Sequence, residues 1–456
     1  MKLYLALTGL ALTGVLAAAD TNLFATGAHF WDFTPLTASA GPTSDESRPI
    51  TFGNPLIAQR SIADRNTQLA AQKPNTGSWD MLTVNQAGGP SKGRFLFTVF
   101  ETGQSGVQRH DLLTGETQTV WMSPAAGQHV SFDASYWTPW GTFITAEESW
   151  GTGSSYGRLF ELRNPFDAPA VYSPVNSASN SGAVFVHANA VPRTSHEGIQ
   201  FDHDLNMYFI DELNGGAIYK FTSSVPMRKI VSGRASYFDA GQTFVLRVGT
   251  GLTPNATGAF TWVPITDVEG RALPGGVTVT DANGVTSVDA RATADLAAFK
   301  GTDYQRPEDL QVVRFKDGHE WLFVTTTTTH ETYRIDLQAQ TISVYANRAT
   351  IDLATGSAIG TAFANPDNLA VDALNHLYIV EDREGAVDDD IWMAVDLNGD
   401  GDLLDAGEGL ARWASNGTPG SEFTGLYFDP FNEQRAWVNI QHPASGNDRT
   451  IEITIP

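Results

Sequence analysis

The sequence predicts an all-β fold: a six-bladed β-propeller, with seven blades as the alternative. Three observations predict it. Glycine (43) and proline (22) are plentiful and Trp, Tyr and Phe make up 11 % of the chain, whereas long helical periodicity is scarce; this composition reads as short strands joined by turns. Four segments share one pattern: "HEGIQFDHDLNMYFIDE" (196–212), "RPEDLQVVRFKDGHEWLFVTT" (306–326), "NPDNLAVDALNHLYIVED" (365–382) and "EFTGLYFDPFNEQRAWVNIQH" (422–442). Each runs from an acid through an apolar strand, a polar turn and a second apolar strand to a polar end. The leading acids Glu197, Glu308, Asp367 and Glu422 lie 111, 59 and 55 residues apart, so the first gap spans about two of the later periods. A period of this length with two hairpins per unit suits a four-stranded propeller blade.

In chain order, "MKLYLALTGLALTGVLAAAD" carries one Lys, a short apolar run and small residues before Asp20. It reads as a signal peptide over 1–19, which makes 20–456 a single exported domain, periplasmic or extracellular. "GRFLFTVFETGQSGVQRHDLLTGETQTV" (93–120) and "WGTFITAEESWGTGSSYGRLFEL" (140–162) supply two further strands ending in acid. Residues 253–304 interrupt the repeat and are expected as an insertion with one short helix near "ARATADLAAFKG". Strands with polar ends then fall near 101, 147, 211, 326, 381 and 441, one per blade.

Innermost propeller strands run parallel to one another, so equivalent residues at their ends form a ring about the axis. Glu101, Glu147 or Glu148, Asp211 or Glu212, and Glu381 or Asp382 are expected to converge, with Asp211 and Glu381 chosen from the last two pairs. A second ring is expected from Glu197, Glu308, Asp367 and Glu422. Carboxylates gathered so closely repel one another and take up protons unless cations lie between them, so a metal cluster is the inference.

Charge and composition exclude other classes. Asp and Glu number 51 against 28 Lys and Arg, a formal charge of −23 that repels nucleic acid and anionic lipid. The absence of cysteine removes disulfides, thiolate ligands and Cys nucleophiles. No Gly-x-Ser-x-Gly elbow is present, and "GTGSSYG" lacks the Lys-Ser or Lys-Thr of a nucleotide loop. In "DLNGDGDLLDAGEG" (396–409), Asp396, Asn398, Asp400 and Asp402 alternate as in a calcium loop, although the closing Glu408 is thirteenth rather than twelfth. Arg109, Arg306 and Arg383, near the repeated strand ends, are the expected partners of a bound oxyanion, with Lys220 a further basic group there. His187, His196 and His442 lie near the same ring.

The segments "TPWGTFITAEE", "HEGIQFD", "RPEDLQVV", "PDNLAVDALNHLYIVED" and "EFTG…VNIQHP" together resemble the PhoX-type alkaline phosphatases, over about Phe97 to Pro443. The resemblance implies an axial cluster of iron and calcium that hydrolyses phosphomonoesters, with Glu147, Glu148, Glu197, Glu308, Asp367, Glu381 and Glu422 as ligands. Two departures stand out. The family's phosphatases usually carry an iron-ligating cysteine before Thr-Pro-Trp-Gly, where this chain reads Phe132-Asp133-Ala134-Ser135-Tyr136, so Asp133 stands in its place. They also commonly carry a twin-arginine leader, and residues 1–19 contain no arginine. Calcium is therefore the expected cation, with iron or another divalent metal as alternatives, and a small phosphoester is the expected substrate of a monomer. A silent calcium-stabilised binding propeller and a lactonase-like calcium esterase are the other readings.

Overall fold

The structure is a computed structural model describing residues 28–87, 91–166, 185–315, 317–383 and 389–456. The expected signal segment lies outside these residues. Among them the strands assemble into six four-stranded blades. The innermost strands are Trp79–Val84, Tyr136–Trp137, Ile199–Phe201, Pro307–Arg314, Pro366–Val371 and Glu422–Phe428. Each pairs antiparallel with a second strand: Phe95–Phe100, Phe143–Ala146, Met207–Ile210, Glu320–Thr326, Leu377–Glu381 and Arg435–Gln441. No helix among the described residues is long and apolar enough to cross a membrane.

Alternation along the second strands explains how blades stack. In Arg435–Gln441, Ala436, Val438 and Ile440 pack with Tyr378, Met393 and Trp413 of the fifth blade. Trp437, facing the other way, packs with Leu82, Val84 and Leu96 of the first blade. Leu377–Glu381 divides likewise: Tyr378 and Val380 face the sixth blade, whereas Leu377 and Ile379 meet Trp321 and Phe323 of the fourth. A strand apolar on both faces is what a blade between two neighbours requires. Each large side chain so buried contributes about 1.5–3 kcal/mol.

Closure uses the chain's beginning. Ala58–Asp64 pairs with Arg449–Thr454 and completes the sixth blade, and Ile50–Phe52 extends the fifth by pairing with Gly409–Asn416. Around the axis, polar side chains clasp successive inner strands. Asp309 Oδ2 accepts from the Leu369 amide (2.8 Å), Asn368 Oδ1 from that of Gly425 (2.5 Å), and Thr424 Oγ1 donates to the Trp79 carbonyl (2.8 Å).

The insertion does more than decorate a loop. Its strand Gly258–Pro264 pairs with Gly241–Val248 of the third blade and, at Gly258 and Ala259, with Thr341–Ala346 of the fourth, fusing two blades into one nine-stranded sheet. A hairpin of Thr278–Thr280 and Thr286–Val288 follows, then the short helix Ala290–Thr293, within the segment expected to be helical.

Candidate metal centre

A backbone device repeated around the axis builds the site. Ser78, Ser131, Arg306 and Asn365 have φ of 47°, 43°, 58° and 47°, and Gly420 has 72°. Each lies two residues before an acid: Asp80, Asp133, Glu308, Asp367 and Glu422 respectively. Left-handed backbone is costly for residues other than glycine, and it recurs here where the chain turns into the channel. In five of the blades the residue closing the second strand bonds back to the residue two before the inner acid, which in the third blade is Ser195, outside the left-handed set. In the sixth, the His442 amide donates instead to Asp448 Oδ1 (3.1 Å). The amides of Glu101, Glu148, Glu212, Thr327 and Asp382 donate to the carbonyls of Ser78, Ser131, Ser195, Arg306 and Asn365, at 2.7–3.0 Å.

The consequence is two tiers of side chains at one end of the axis. The inner tier is one acid per blade: Asp80, Asp133, Glu197, Glu308, Asp367 and Glu422. The outer tier is Glu101, Glu148, Glu212, Thr327, Asp382 and His442. Two groups of three carboxylates have ligand atoms within 4.8 Å of one another: Asp133, Glu148 and Glu212, and Glu197, Glu308 and Asp367. Arg306 spans both groups, with Nη2 2.9 Å from Glu212 Oε1 and Nε 2.9 Å from Glu308 Oε1. Thr327 Oγ1 donates to Glu308, Asn368 Nδ2 to Glu197 (3.0 Å) and Asp367 (2.9 Å), and Gln441 Nε2 to Glu101 (2.8 Å). His442 Nε2 lies 3.4 Å from Glu422 Oε1.

Electrostatics make this arrangement costly without counter-ions. Burial, then the charges of neighbouring acids, holds Asp80, Asp133, Glu197 and Glu212 well above the usual carboxylate range. Glu308 is raised likewise by burial and by Asp367. Burial and Glu148 push Glu101 up to about 8, and burial with Asp382 pushes Glu422 to about 12. Asp80 Oδ1 and Glu197 Oε2 are buried without a hydrogen-bond partner among the described residues. Buried carboxylate oxygens lacking donors, set among other carboxylates, fit hard divalent cations, and the donor set is entirely oxygen apart from His442.

Of the expected ligands, Glu101, Asp133, Glu148, Glu197, Glu308, Asp367 and Glu422 come together here. Glu147, Asp211 and Glu381 do not. Glu147 turns back to a buried ion pair with Arg158 (2.6 Å). Asp211 accepts from the Ser195 amide (2.9 Å), and Glu381 accepts from the Ala364 amide (2.8 Å) and pairs with Arg383 (3.2 Å). In all three doublets the first acid braces the turn, while Glu148 and Glu212 join Asp133 and Asp382 lies against Glu422, so the structure brings Glu212 and Asp382 to the axis and not the expected Asp211 and Glu381. Asp80 escaped the sequence reading, although "SWDMLTV" places an acid at the same phase as "RPEDLQVV".

Among the arginines, only Arg306 of the expected three meets the two groups of three acids. Arg109 donates to the Pro165 (2.6 Å) and Phe166 (2.7 Å) carbonyls on the first blade's flank. Arg383 braces Glu381 and donates to the Ala362 carbonyl (2.6 Å). The 396–409 loop is closed on itself. Asp396 accepts from the amides of Gly399 (2.7 Å) and Gly401 (2.9 Å), Asn398 from that of Asp400 (2.9 Å), Asp400 from that of Asp402 (3.1 Å) and Asp402 from that of Leu404 (3.0 Å). Both groups of three converging acids among the described residues are axial, and this loop forms neither.

Comparison with known proteins places this geometry. The chain matches the structure of Pseudomonas fluorescens PhoX in complex with vanadate, a transition-state analogue, over 93 % of this chain and 98 % of that one, at 16 % identity and a TM-score of 0.61. More distant likenesses include a gluconolactonase from Xanthomonas campestris (11 % identity, 92 % of this chain and 99 % of that one, TM-score 0.43). Another is the calcium-binding protein regucalcin from Agrobacterium tumefaciens (11 % identity, 88 % and 94 %, TM-score 0.42). No curated protein matches the chain. The family model for the alkaline phosphatase PhoX matches residues 133–444, well over half of the sequence and all of the axial acids except Asp80 and Glu101, and the chain belongs to that family.

Proposed function

We propose that the protein is a phosphomonoesterase that binds its substrate's phosphoryl group at the axial acids through divalent cations. The observation that carries this reading is the two-tier ring, with orphaned oxygens on Asp80 and Glu197, in a member of a phosphatase family. Asp133, Glu148 and Glu212, and Glu197, Glu308 and Asp367, would hold the cations, which when bound would supply Lewis-acid neutralisation of phosphoryl charge. The chain's own groups do the rest. Arg306, whose Nε and Nη2 are engaged by Glu212 and Glu308, offers Nη1 to a phosphoryl oxygen. His442, whose side chain is 47 % exposed beside Glu422, delivers a proton to the leaving oxygen. Asn368 and Thr327 fix the carboxylates of Glu197 and Glu308.

The oxygen-rich donor set favours calcium, and the leader-like segment supports export; both belong to the same proposal. The Pseudomonas fluorescens protein binds vanadate, a transition-state analogue, and phosphomonoester hydrolysis is proposed for this chain. Hydrolysis of 4-nitrophenyl phosphate by purified protein tests it, first in chelator, then with calcium, then with calcium and iron. Activity abolished by chelator and restored by a cation is expected. Calcium binding without turnover under every condition would defeat the proposal in favour of a binding propeller.

A further inference from the structure

The phosphatase reading leaves the leaving group open, and Trp150 addresses it. This indole is 48 % exposed, two residues after Glu148, and its Nε1 donates to the Glu148 carboxylate. The Arg306 guanidinium lies 5.0 Å from the ring centroid, and Arg306 is itself held by Glu212 and Glu308. The ring is therefore pinned at its N–H and along one face, at the rim of the acid cluster.

The loop behind it is equally fixed. Arg291 donates to the carbonyls of Ser149 and Ser154, both at 2.9 Å, and its Nε pairs with Asp289 (2.8 Å), both side chains having no exposure. Asp289 in turn accepts from the Gly153 amide (2.7 Å). Both residues belong to the insertion, so the segment fusing the third and fourth blades also clamps the loop carrying Trp150. An exposed indole on a mobile loop loses freedom when it binds; one held this firmly loses little.

Resting on the phosphomonoesterase reading, we infer that Trp150 and Arg306 form a platform for a flat leaving group, favouring aryl and nucleoside monophosphates over phosphates of small polyols. Stacking on an indole backed by a guanidinium is tolerant of ring type, so the platform selects for planarity rather than for one base.

The test compares wild type, Trp150→Ala and Trp150→Phe with adenosine 5′-monophosphate, 4-nitrophenyl phosphate and glycerol 3-phosphate. Trp150→Ala should raise KM for the two flat substrates about tenfold and for glycerol 3-phosphate less than twofold, and Trp150→Phe should restore most of the loss. Equal losses on all three substrates in both variants would mean that Trp150 serves only to hold Glu148, since Phe lacks the N–H, and would overturn the platform. If wild type hydrolyses none of the three, the phosphatase reading fails separately, and calorimetric binding decides. Adenosine 5′-monophosphate bound more tightly than glycerol 3-phosphate in wild type but not in Trp150→Ala supports the platform; no difference between the two ligands overturns it.

Discussion

Glu147 and Glu148, adjacent in the chain, face opposite ways. Glu147 holds Arg158 through both oxygens (2.8 Å to Nε, 2.6 Å to Nη2) with no exposure, while Glu148 joins Asp133 and Glu212 on the axis. Successive residues at a strand's end diverge, so one can brace and the next can bind. The pairs Asp211–Glu212 and Glu381–Asp382 repeat this division.

That division predicts opposite phenotypes. Glu147→Ala removes the closer of the two acids paired with the buried Arg158, leaving Asp281 at 3.6 Å, and should lower stability by about 3 kcal/mol. Glu148→Gln removes one of several repelling carboxylates; its metal-free melting temperature should stay level or rise, while calcium affinity falls about tenfold, a loss of ~1.4 kcal/mol. Thermal melts with and without calcium separate the two effects. A destabilised metal-free Glu148→Gln protein would contradict the assignment.

Calcium should stabilise the folded chain by mass action, by about 2.7 kcal/mol at a hundredfold excess over Kd. The increment should shrink in Asp80→Asn, because Asp80 Oδ1 has no hydrogen-bond partner among the described residues. Calorimetric scans in chelator and in millimolar calcium read this directly. Identical melting temperatures in the two would end the cation proposal.

The blades were legible because period-two apolar runs and turn residues recur at a fixed interval, and the inner acids Glu197, Glu308, Asp367 and Glu422 followed from that phase. The outer tier was half legible: a doublet such as Asp211–Glu212 announces a functional strand end without saying which acid faces the axis. That choice depends on a backbone bond from the second acid's amide to the turn before the blade's inner acid, at Ser131, Ser195 and Asn365, a long-range pairing that no local pattern announces. Asp80 was hidden by the weak likeness of the first blade's "SWDMLTV" to the later repeats. Arg158 and Arg291 were invisible because Arg158 meets Glu147 across an irregular loop 11 residues long, and Arg291 reaches the Ser149 and Ser154 carbonyls from a different part of the chain.

Buried histidines predict the acid response. Burial depresses His110 to about 4 and His129 and His187 to about 3, below the ordinary 6.5. His110 faces Asp111, Glu452 and Arg60, and its Nδ1 meets Thr117 (2.8 Å); His129 and His187 face Arg158 and Asp281, and His187 also Arg193. Between the folded and unfolded values the unfolded chain binds more protons, so stability is present above pH 6.5 and is lost as pH falls towards 4. The axial acids, raised in the folded state, act in the opposite sense, so a difference measurement is required. Relative to wild type, His110→Gln should gain about 2 kcal/mol between pH 6.5 and pH 5. Urea titrations at both pH values check it, and a constant difference would show that His110 takes up its proton over the same pH range in the folded and unfolded chain.

The last prediction concerns Asp133, which stands where the resemblance expects an iron-ligating cysteine and which converges with Glu148 and Glu212. A carboxylate is a hard, anionic donor suited to calcium, magnesium or manganese, and it also holds ferric iron without the electronic character of a thiolate. Its burial at 7 % exposure beside Asp80 and Glu101 makes it dependent on a cation, so Asp133→Ala should abolish metal-dependent activity while raising metal-free stability. Asp133→Cys should increase the iron retained, because a thiolate there is softer and a better iron ligand. Elemental analysis of natively purified protein should find calcium without stoichiometric iron in wild type, with phosphatase activity below that of cysteine-bearing relatives. Stoichiometric iron with vigorous turnover, both lost in Asp133→Ala, would instead establish that the carboxylate replaces the thiolate without loss of the iron site.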